Sequence, residues 1–435
     1  MVNKFIHSIL LRASIPVFGV INFMIIVRIF EEEEVGVWVL YMTIMALIEV
    51  IKTGFLKSAT IWSLNKDDQD HSKLILSSSL GLNILLTLAF IVLILIVIVI
   101  LQWGGTYILL SRLLLFYCIQ LLIHIPFSHL EYYHTSQLGF RNLMFAYIIR
   151  NFSFFIFLGS IYFFSMPHEK LEYLVLYQSV GIIFGAIFLN RFCDYKIDLK
   201  IYSRKYWKQI MNYGKYVFAT NASSTLFRST DHYMLAGLIN STAVAYYNVA
   251  LRITNLMDLP STAVAEVLFP MSIKTSDRKD LKAIYEKAVG YILAFAVPSS
   301  LAVFLLAKPI VIFIAGSDYL ASVGILQITL IYGLILPFLK QFGTVIDALN
   351  YPKINFYLMF GTFIVNIVFN YLCINKFGLM GAAYGTLISY FFTLCASQLI
   401  LKKFLNIEFF KIWVNMFKAY LELYNRISRP TSKTS

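Results

Sequence analysis

The stretch LSSSLGLNILLTLAFIVLILIVIVIL, residues 76 to 101, contains no charged residue. A helix needs about 20 predominantly apolar residues to cross the hydrocarbon core of a bilayer. This stretch is long enough, and apolar runs recur from residue 13 to residue 401. Charged residues make up 14% of the chain, whereas soluble domains carry about 25%. The sequence therefore predicts an all-α polytopic membrane protein.

The apolar runs divide into a predicted set of about twelve spans. They lie at 13–30, 36–56, 76–101, 106–127, 143–164, 172–190, 211–237, 243–270, 287–306, 320–347, 354–374 and 380–401. We predict an N-terminal six-helix bundle at 1–200 and a C-terminal six-helix bundle at 201–403. Residues 404–435 are predicted to form an amphipathic helix on the membrane surface and a disordered cytoplasmic tail, because the polar residues from Lys411 to Arg429 share one helical stripe.

The loop charges predict the orientation. Lysine and arginine collect in the N-terminal segment and in the 52–73, 191–215 and 274–287 loops, and the alternate loops are nearly free of them. Basic loops stay in the cytoplasm, so both termini are predicted to be cytoplasmic. The same rule accounts for the net charge of +13, so that no nucleic-acid partner is predicted.

The two halves resemble each other at nearly one offset. IFEEEEVGVW (29–38) matches LINSTAVAYY (238–247) in pattern, and PFSH (126–129) matches PFLK (337–340). The first offset places Glu49 over Asp258, so each half carries a carboxylate within its second helix. Six spans per repeat predict parallel repeats, an arrangement that commonly encloses a central path in transporters. We therefore predict two six-helix bundles around a central cavity.

Charged residues within the predicted spans are candidate functional groups, since such residues usually face a cavity or one another. TLFRSTDHYML (225–235) contains Arg228 and Asp231, and Arg252 is predicted to lie at a similar depth. One hypothesis is a structural ion pair between Asp231 and one of these arginines. The other is a cavity with surplus positive charge for an anionic substrate, to which Arg150 and Lys340 are also assigned. Glu49 and Asp258 are candidate ion-coupling carboxylates, with structural hydrogen bonding as the alternative.

Catalytic motifs are missing from the sequence. It has no Walker A motif, no HExxH and no nucleophile elbow. His124, His129, Glu131 and His134 include one E-x-x-H spacing, which we interpret as structural because a di-iron site needs a second such motif. No enzyme activity, cofactor or metal is predicted.

The chain resembles the Wzx-like polysaccharide flippases of the multidrug/oligosaccharidyl-lipid/polysaccharide exporter superfamily. The resemblance is carried by DHYMLAGLINSTAVAYYNVALRI (231–253), LPSTAVAEVLFP (259–270), VIDALNYPK (345–353) and KFGLMGAAYGTLIS (376–389). The run Glu31–Glu34 departs from the single glutamate usual in the family. Asp231 and Arg252 match charged positions of the family pattern, whereas Arg228, Arg150 and Lys340 are inferred from the residues alone.

The resemblance implies a flippase that uses alternating access. Its implied cargo is an undecaprenyl-pyrophosphate-linked repeat unit of O-antigen or capsule, which crosses the bacterial inner membrane. A polysaccharide polymerase and a chain-length regulator are the protein partners we expect. The alternatives are a drug or small-cation exporter of the same superfamily and a membrane polysaccharide polymerase.

Overall fold

The structure of the chain is a computed structural model. It describes residues 18–66, 71–137, 139–164, 171–193, 203–275, 277–349 and 351–428. Every element within these ranges is a helix. Several predicted features lie outside them, namely residues 13–17 of the first span, the N-terminal Lys4 and Arg12, the middle of the 191–215 loop and the tail 429–435.

The chain forms two compact units, and the first ends at Leu226. The helices that begin in this unit are α1 (Phe18–Ile29), α2 (Glu32–Lys66), α3 (Ser72–Trp103), α4 (Ile108–Ser136), α5 (Phe140–Phe164), α6 (Leu171–Arg191) and α7 (Arg204–Leu238). α7 crosses into the second unit, and its first turns pack with the first unit, where Trp207 donates a hydrogen bond to the Ser78 carbonyl at 3.0 Å. The predicted division between 200 and 201 lies outside the described residues and stays a prediction.

The second unit begins at Phe227. After α7 it contains α8 (Ser241–Met257), α9 (Leu259–Lys274), α10 (Arg278–Leu305), α11 (Ala307–Ala315), a 3₁₀ turn (Ser317–Ala321), α12 (Ser322–Gly333), α13 (Leu336–Ala348), α14 (Pro352–Phe377), α15 (Leu379–Leu405) and α16 (Phe409–Ser428). Side chains cap two of these helices. Asn240 accepts the Ala243 N–H at the start of α8, and Asp277 accepts the Lys279 N–H at the start of α10.

Nine helical segments within the described ranges are long and apolar enough to cross a membrane: α2 to α6, α10, α14, α15 and the stretch Ser317–Ala348 that contains α12 and α13. The other three predicted spans correspond to α1, which is shorter, to α7, and to α8 with α9. α3 exposes a row of large apolar side chains, including Val92, Ile96 and Val99, each more than half exposed. Such a face suits lipid and not water. The prediction of an all-α polytopic membrane protein is confirmed.

Some predicted spans differ in detail from the helices observed. The span 243–270 is interrupted at Asp258, and the span 320–347 is interrupted between Gly333 and Leu336. A proline lies at the start of each following helix, Pro260 in α9 and Pro337 in α13. Proline lacks the N–H that would continue the helical ladder, which is why each helix restarts there.

The prediction of a basic loop at 52–73 is wrong for most of these residues. α2 continues to Lys66, so that Lys52 and Lys57 are helical. Lys52 is buried, and its ammonium group donates a hydrogen bond to Thr87 of α3 at 2.8 Å. The backbone hydrogen bonds of α2 therefore continue the helix beyond residue 56, where the predicted apolar span ends.

Closely packed helix pairs occur in both units. Two glycines four residues apart lie on α6 (Gly181, Gly185) and two on α15 (Gly381, Gly385). A Cβ at Gly181 would lie 2.5 Å from the Arg150 carbonyl oxygen of α5, and a Cβ at Gly385 would lie 2.7 Å from the Asn370 nitrogen of α14. Small residues at this spacing let helix backbones approach in membranes. They hold α5 against α6 and α14 against α15.

The C-terminal helix α16 is amphipathic and packs on α10 of the same unit. Ile412 and Met416 are buried in this contact, which passes over Gly290 of α10. Lys282 donates to Glu408 at 2.5 Å at one end of the contact. Phe410 and Phe417 are exposed on another face. The surface location of this segment stays a prediction, and the side chains from 423 onward lie outside the described residues.

Candidate functional site

The first unit contains a polar cavity of about 340 Å³. Three helices supply its lining: Glu49, Thr53, Lys57 and Ser58 from α2, His124 and Glu131 from α4, and Tyr147 and Arg150 from α5. Glu49, Thr53 and Lys57 share one face of α2 because they are four residues apart. The cavity therefore places two carboxylates and two cations among apolar helices.

Two predicted site residues, Arg150 and the candidate coupling residue Glu49, lie in this cavity. The first to consider is Arg150. Its guanidinium lies over the rings of Phe127 and Tyr147, 5.4 Å and 5.9 Å from their centroids. Its nearest carboxylate is Glu49, at 3.9 Å, beyond hydrogen-bond distance. His124 approaches the same Glu49 oxygen at 3.8 Å. The aromatic rings thus fix the guanidinium, while the contact with Glu49 is electrostatic and loose.

Lys57 is held more tightly than Arg150. Its ammonium group donates to Glu131 at 2.6 Å. Glu131 belongs to the E-x-x-H spacing, and His134 of that spacing instead contacts the Leu189 carbonyl at 3.0 Å. These two side chains therefore serve different contacts, which agrees with the structural interpretation of the spacing.

Asp231 lies in the second unit, within a buried polar cluster of four helices. Its carboxylate accepts hydrogen bonds from Tyr247 of α8 at 2.5 Å, from Asn370 of α14 at 2.5 Å and from Thr386 of α15 at 2.9 Å. Asn366 extends the cluster by donating to Thr386 at 3.1 Å. These donors fix α7 against α8, α14 and α15.

The hypothesis of an ion pair between Asp231 and an arginine is wrong for the described residues. Three neutral donors already satisfy the carboxylate, so an arginine partner is not needed. Arg228 is exposed, although it is only three residues away. Arg252 instead donates to Asn248 at 3.3 Å, and Asn248 contacts His232 at 3.2 Å.

Asp258 and Lys340 form an ion pair in the second unit. Asp258 lies at the break between α8 and α9, and Lys340 lies on α13, where it also donates to Thr262 at 2.7 Å. The predicted substrate contact Lys340 thus has a carboxylate partner. The predicted coupling residue Asp258 has a cation partner.

Each unit contains a close approach between a carboxylate and a basic side chain. Glu49 on α2 faces His124 on α4, and Asp258 between α8 and α9 faces Lys340 on α13. In each unit, a carboxylate from the second predicted span meets a base on the fourth. The offset of 211 places Lys340 over His129 and not over His124, so the two bases do not occupy equivalent positions of the proposed repeat.

Sequence reasoning missed several residues of these clusters. Lys57 had been assigned to a loop, and Glu131 to a structural role. Tyr247, Asn366, Asn370 and Thr386 were not singled out. Asn366 and Asn370 are four residues apart in an otherwise apolar span, and that spacing predicts a polar contact on one face of the helix.

Comparison with known proteins gives the family and the fold. A family model described as polysaccharide biosynthesis protein matches residues 25–324. An uncharacterised membrane protein of Methanocaldococcus jannaschii is 28% identical over 277 residues, covering 61% of this chain and 55% of that protein. The "Probable low-salt glycan biosynthesis flippase Agl15" of Haloferax volcanii is 22% identical over 49% of this chain and 46% of its own length. The chain thus spans about half the length of these relatives.

Solved structures of two transporters share the fold. The lipid II flippase MurJ in an inward closed conformation matches with a TM-score of 0.78 and 18% identity, covering 99% of this chain and 94% of that chain. An inward-facing multidrug resistance MATE transporter of the MOP superfamily matches with a TM-score of 0.73 and 14% identity, over 98% of this chain and 99% of that chain. The family model covers more than half of the chain. This multi-pass membrane protein therefore belongs to the family of polysaccharide biosynthesis proteins, as the resemblance predicted.

Proposed function

We propose that the chain is a flippase for lipid-linked oligosaccharides. The cargo is an undecaprenyl-pyrophosphate-linked repeat unit of O-antigen or capsule, which moves from the cytoplasmic to the outer face of the bacterial inner membrane. Family membership supports this proposal, as do the relative named as a glycan biosynthesis flippase and the fold shared with MurJ. Both termini lie in the cytoplasm in this proposal, and a polymerase and a chain-length regulator act on the exported units.

The polar cavity of the first unit is the observation that carries the proposal furthest. A charged and sugar-bearing headgroup cannot enter hydrocarbon without replacement of its hydration. Arg150 and Lys57 offer charged donors inside a bundle whose outer helices suit lipid. The headgroup can use such a lining, while the polyprenyl chain stays in the bilayer.

The basic residues of the second unit supply further cargo contacts in this proposal. Arg228, Arg252 and Lys340 carry positive charge on α7, α8 and α13, and Asp231 positions α7. Alternating access exposes them to each side of the membrane in turn. Glu49 and Asp258, each beside a base, are the proposed ion-coupling carboxylates.

A deletion strain tests the function. Loss of the gene should leave lipid-linked repeat units on the cytoplasmic face and remove surface polysaccharide. The variants Arg228→Ala and Arg252→Ala should lower export while the protein stays in the membrane. Normal amounts of surface glycan with altered chain length would instead indicate a polymerase-related role.

A drug or small-cation exporter is the second candidate function, because a multidrug transporter shares the fold. Such a protein should expel a cationic dye such as ethidium from loaded vesicles. Dye efflux with unchanged surface glycan in the deletion strain would favour this candidate over the flippase.

A further inference from the structure

The C-terminal helix α16 presents an apolar stripe that no part of the described chain covers. Four large apolar residues share one face of the helix, because they follow one another at intervals of four, three and four residues: Phe410, Val414, Phe417 and Leu421. Each of them is at least half exposed, and Phe410 is 82% exposed. A different face of α16 packs on α10 through Ile412 and Met416. The stripe therefore lacks an apolar partner among the described residues.

Two exposed lysines flank the apolar stripe. Lys411 and Lys418 are seven residues apart, or about two turns of helix. Neither forms an ion pair with a carboxylate of the described residues. The nearby glutamates have other partners, since Glu408 accepts from Lys282 at 2.5 Å and Glu422 accepts from the Tyr291 hydroxyl at 2.6 Å. The two ammonium groups therefore remain available to an external anion.

The whole segment that contains α16 is basic. Residues 402–435 contain seven lysines and arginines and two glutamates. Clusters of about four to eight such cations, on an amphipathic helix or directly beside a span, are typical of binding to anionic lipid headgroups. The charge of the segment thus matches an anionic membrane surface.

The contact with α10 indicates the depth of α16. Lys287 is the last charged residue of α10, and the 18 residues from there to Leu305 carry no charge. α16 crosses α10 at Gly290, where a Cβ would lie 2.8 Å from the Asn415 Cβ and 2.9 Å from the Ile412 carbonyl oxygen. Gly290 is three residues, or about 4.5 Å, beyond Lys287. The crossing therefore lies where the apolar span meets the headgroups, at the end of α10 whose predicted orientation is cytoplasmic.

α16 runs in the same direction as α10. Before the crossing, the Glu408 N–H donates to the Glu286 carboxylate at 3.0 Å, and beyond it the Tyr420 hydroxyl donates to the Ala294 carbonyl at 2.7 Å. A helix at right angles to α10 would contact it only at the crossing. α16 therefore enters the leaflet at an angle. The long side chain of Lys418 can still extend back to the headgroups.

We propose that α16 binds anionic phospholipids of the cytoplasmic leaflet. Lys411 and Lys418 contact the headgroup phosphates, and the apolar stripe inserts among the acyl chains. A second copy of the chain is a poorer partner, because two copies that met through this face would bring their lysines together, and like charges repel. This lipid contact does not depend on which cargo the protein moves.

Quenching of Trp413 fluorescence by brominated phospholipids tests this surface, because Trp413 lies on α16. The full chain is reconstituted in vesicles that contain brominated phosphatidylglycerol or brominated phosphatidylcholine. The fluorescence that disappears in Trp413→Phe gives the Trp413 signal. Phosphatidylglycerol should quench this signal more strongly. Each lysine near an anionic surface contributes about fivefold, so the double variant Lys411→Gln and Lys418→Gln should lower the relative affinity for phosphatidylglycerol about 5- to 25-fold.

Two control variants separate the charge of these lysines from other effects. The double variant Lys411→Arg and Lys418→Arg keeps both charges and should keep the preference for phosphatidylglycerol. Lys308→Gln removes an exposed lysine of α11, which follows the other end of α10, and should behave like wild type. Loss of the preference in either control would overturn the assignment to Lys411 and Lys418.

Equal quenching by the two lipids would overturn the proposal, and so would an unchanged preference in the glutamine variant. Absence of quenching by both lipids would also overturn it, because the apolar stripe would then be covered by protein. In that case Phe417→Cys should form more disulfide-linked dimer than wild type if the cover is a second copy. The quenching is measured without transport, so a failure of the proposed flippase function and a failure of the lipid site are distinguishable.

Discussion

Replacing Gly181 with alanine tests how the packing of α5 against α6 supports the cavity. A Cβ at this position would lie 2.5 Å from the Arg150 carbonyl oxygen and 3.3 Å from its carbonyl carbon. Ordinary C···O contacts in proteins are about 3.3–3.6 Å, so the two helices must separate by nearly 1 Å. Because the added atom would meet backbone, a change of rotamer cannot relieve the contact.

Overpacking of this kind costs about 1–3 kcal/mol of the free energy of unfolding. Gly159 of α5 is the matched control, because a Cβ there meets nothing within 4 Å. Gly159→Ala should stabilise the protein by about 0.5–1 kcal/mol, the usual gain when alanine replaces glycine within a helix. The two variants therefore have opposite expected signs for the same chemical change.

The assay is unfolding of the purified protein in mixed micelles, followed by circular dichroism as denaturing detergent is added. Export of surface glycan should fall for Gly181→Ala and stay unchanged for Gly159→Ala, since the first variant displaces the segment that carries Arg150. Equal changes in the free energy of unfolding for both variants would refute the close approach of α5 and α6.

Three further predictions concern the second unit. Asp231→Ala should lower the free energy of unfolding by about 3 kcal/mol, because three buried donors lose their acceptor. The exposed Arg228→Ala should change it by less than about 0.5 kcal/mol. Equal effects of the two variants on the free energy of unfolding would contradict the Asp231 cluster. Asp258→Lys and Lys340→Asp should each lower export, and the double variant should regain part of it, whereas additive losses would contradict their pairing. The hydrogen bond from Lys282 lowers the pKa of Glu408, so the contact at the start of α16 is present at neutral pH and is lost as the pH falls through that lowered pKa. The protection factors of amides near Glu408, which are exchange rates corrected for the intrinsic pH dependence, should therefore fall in acid, and Lys282→Met should remove this change.

The helices could be predicted from sequence because hydrocarbon imposes a minimum apolar length on each span. The stretch 76–101 lies within α3. Because the predicted loops are short, each following span begins soon after the preceding one ends. The breaks near Asp258 and Gly333 were harder to predict. A proline in a membrane helix can kink the helix or end it, and the outcome depends on neighbouring helices that the local sequence does not specify.

The site was only partly predictable, because helices that are apolar on every side do not reveal their rotation. Arg150 was identified by its charge alone, but its neighbours Lys57 and Glu131 were not. Asp231 was singled out by its charge within a predicted span, but its partners Asn370 and Thr386 lie 139 and 155 residues further along the chain. An adjacent arginine was the more obvious partner in sequence, and the neutral donors became evident only from the packing of α14 and α15.

Movement of a fluorescent pyrophosphate-linked oligosaccharide lipid between the leaflets of reconstituted vesicles tests the central claim most directly. The account predicts that vesicles with the wild-type chain expose the labelled sugar on the opposite face faster than protein-free vesicles, and that Arg150→Gln abolishes most of this difference. Arg112 of α4 lies outside the cavity, 3.6 Å from Glu172, so Arg112→Gln should preserve the difference. A labelled lipid that stays on its original leaflet with the folded wild-type chain present would contradict the account.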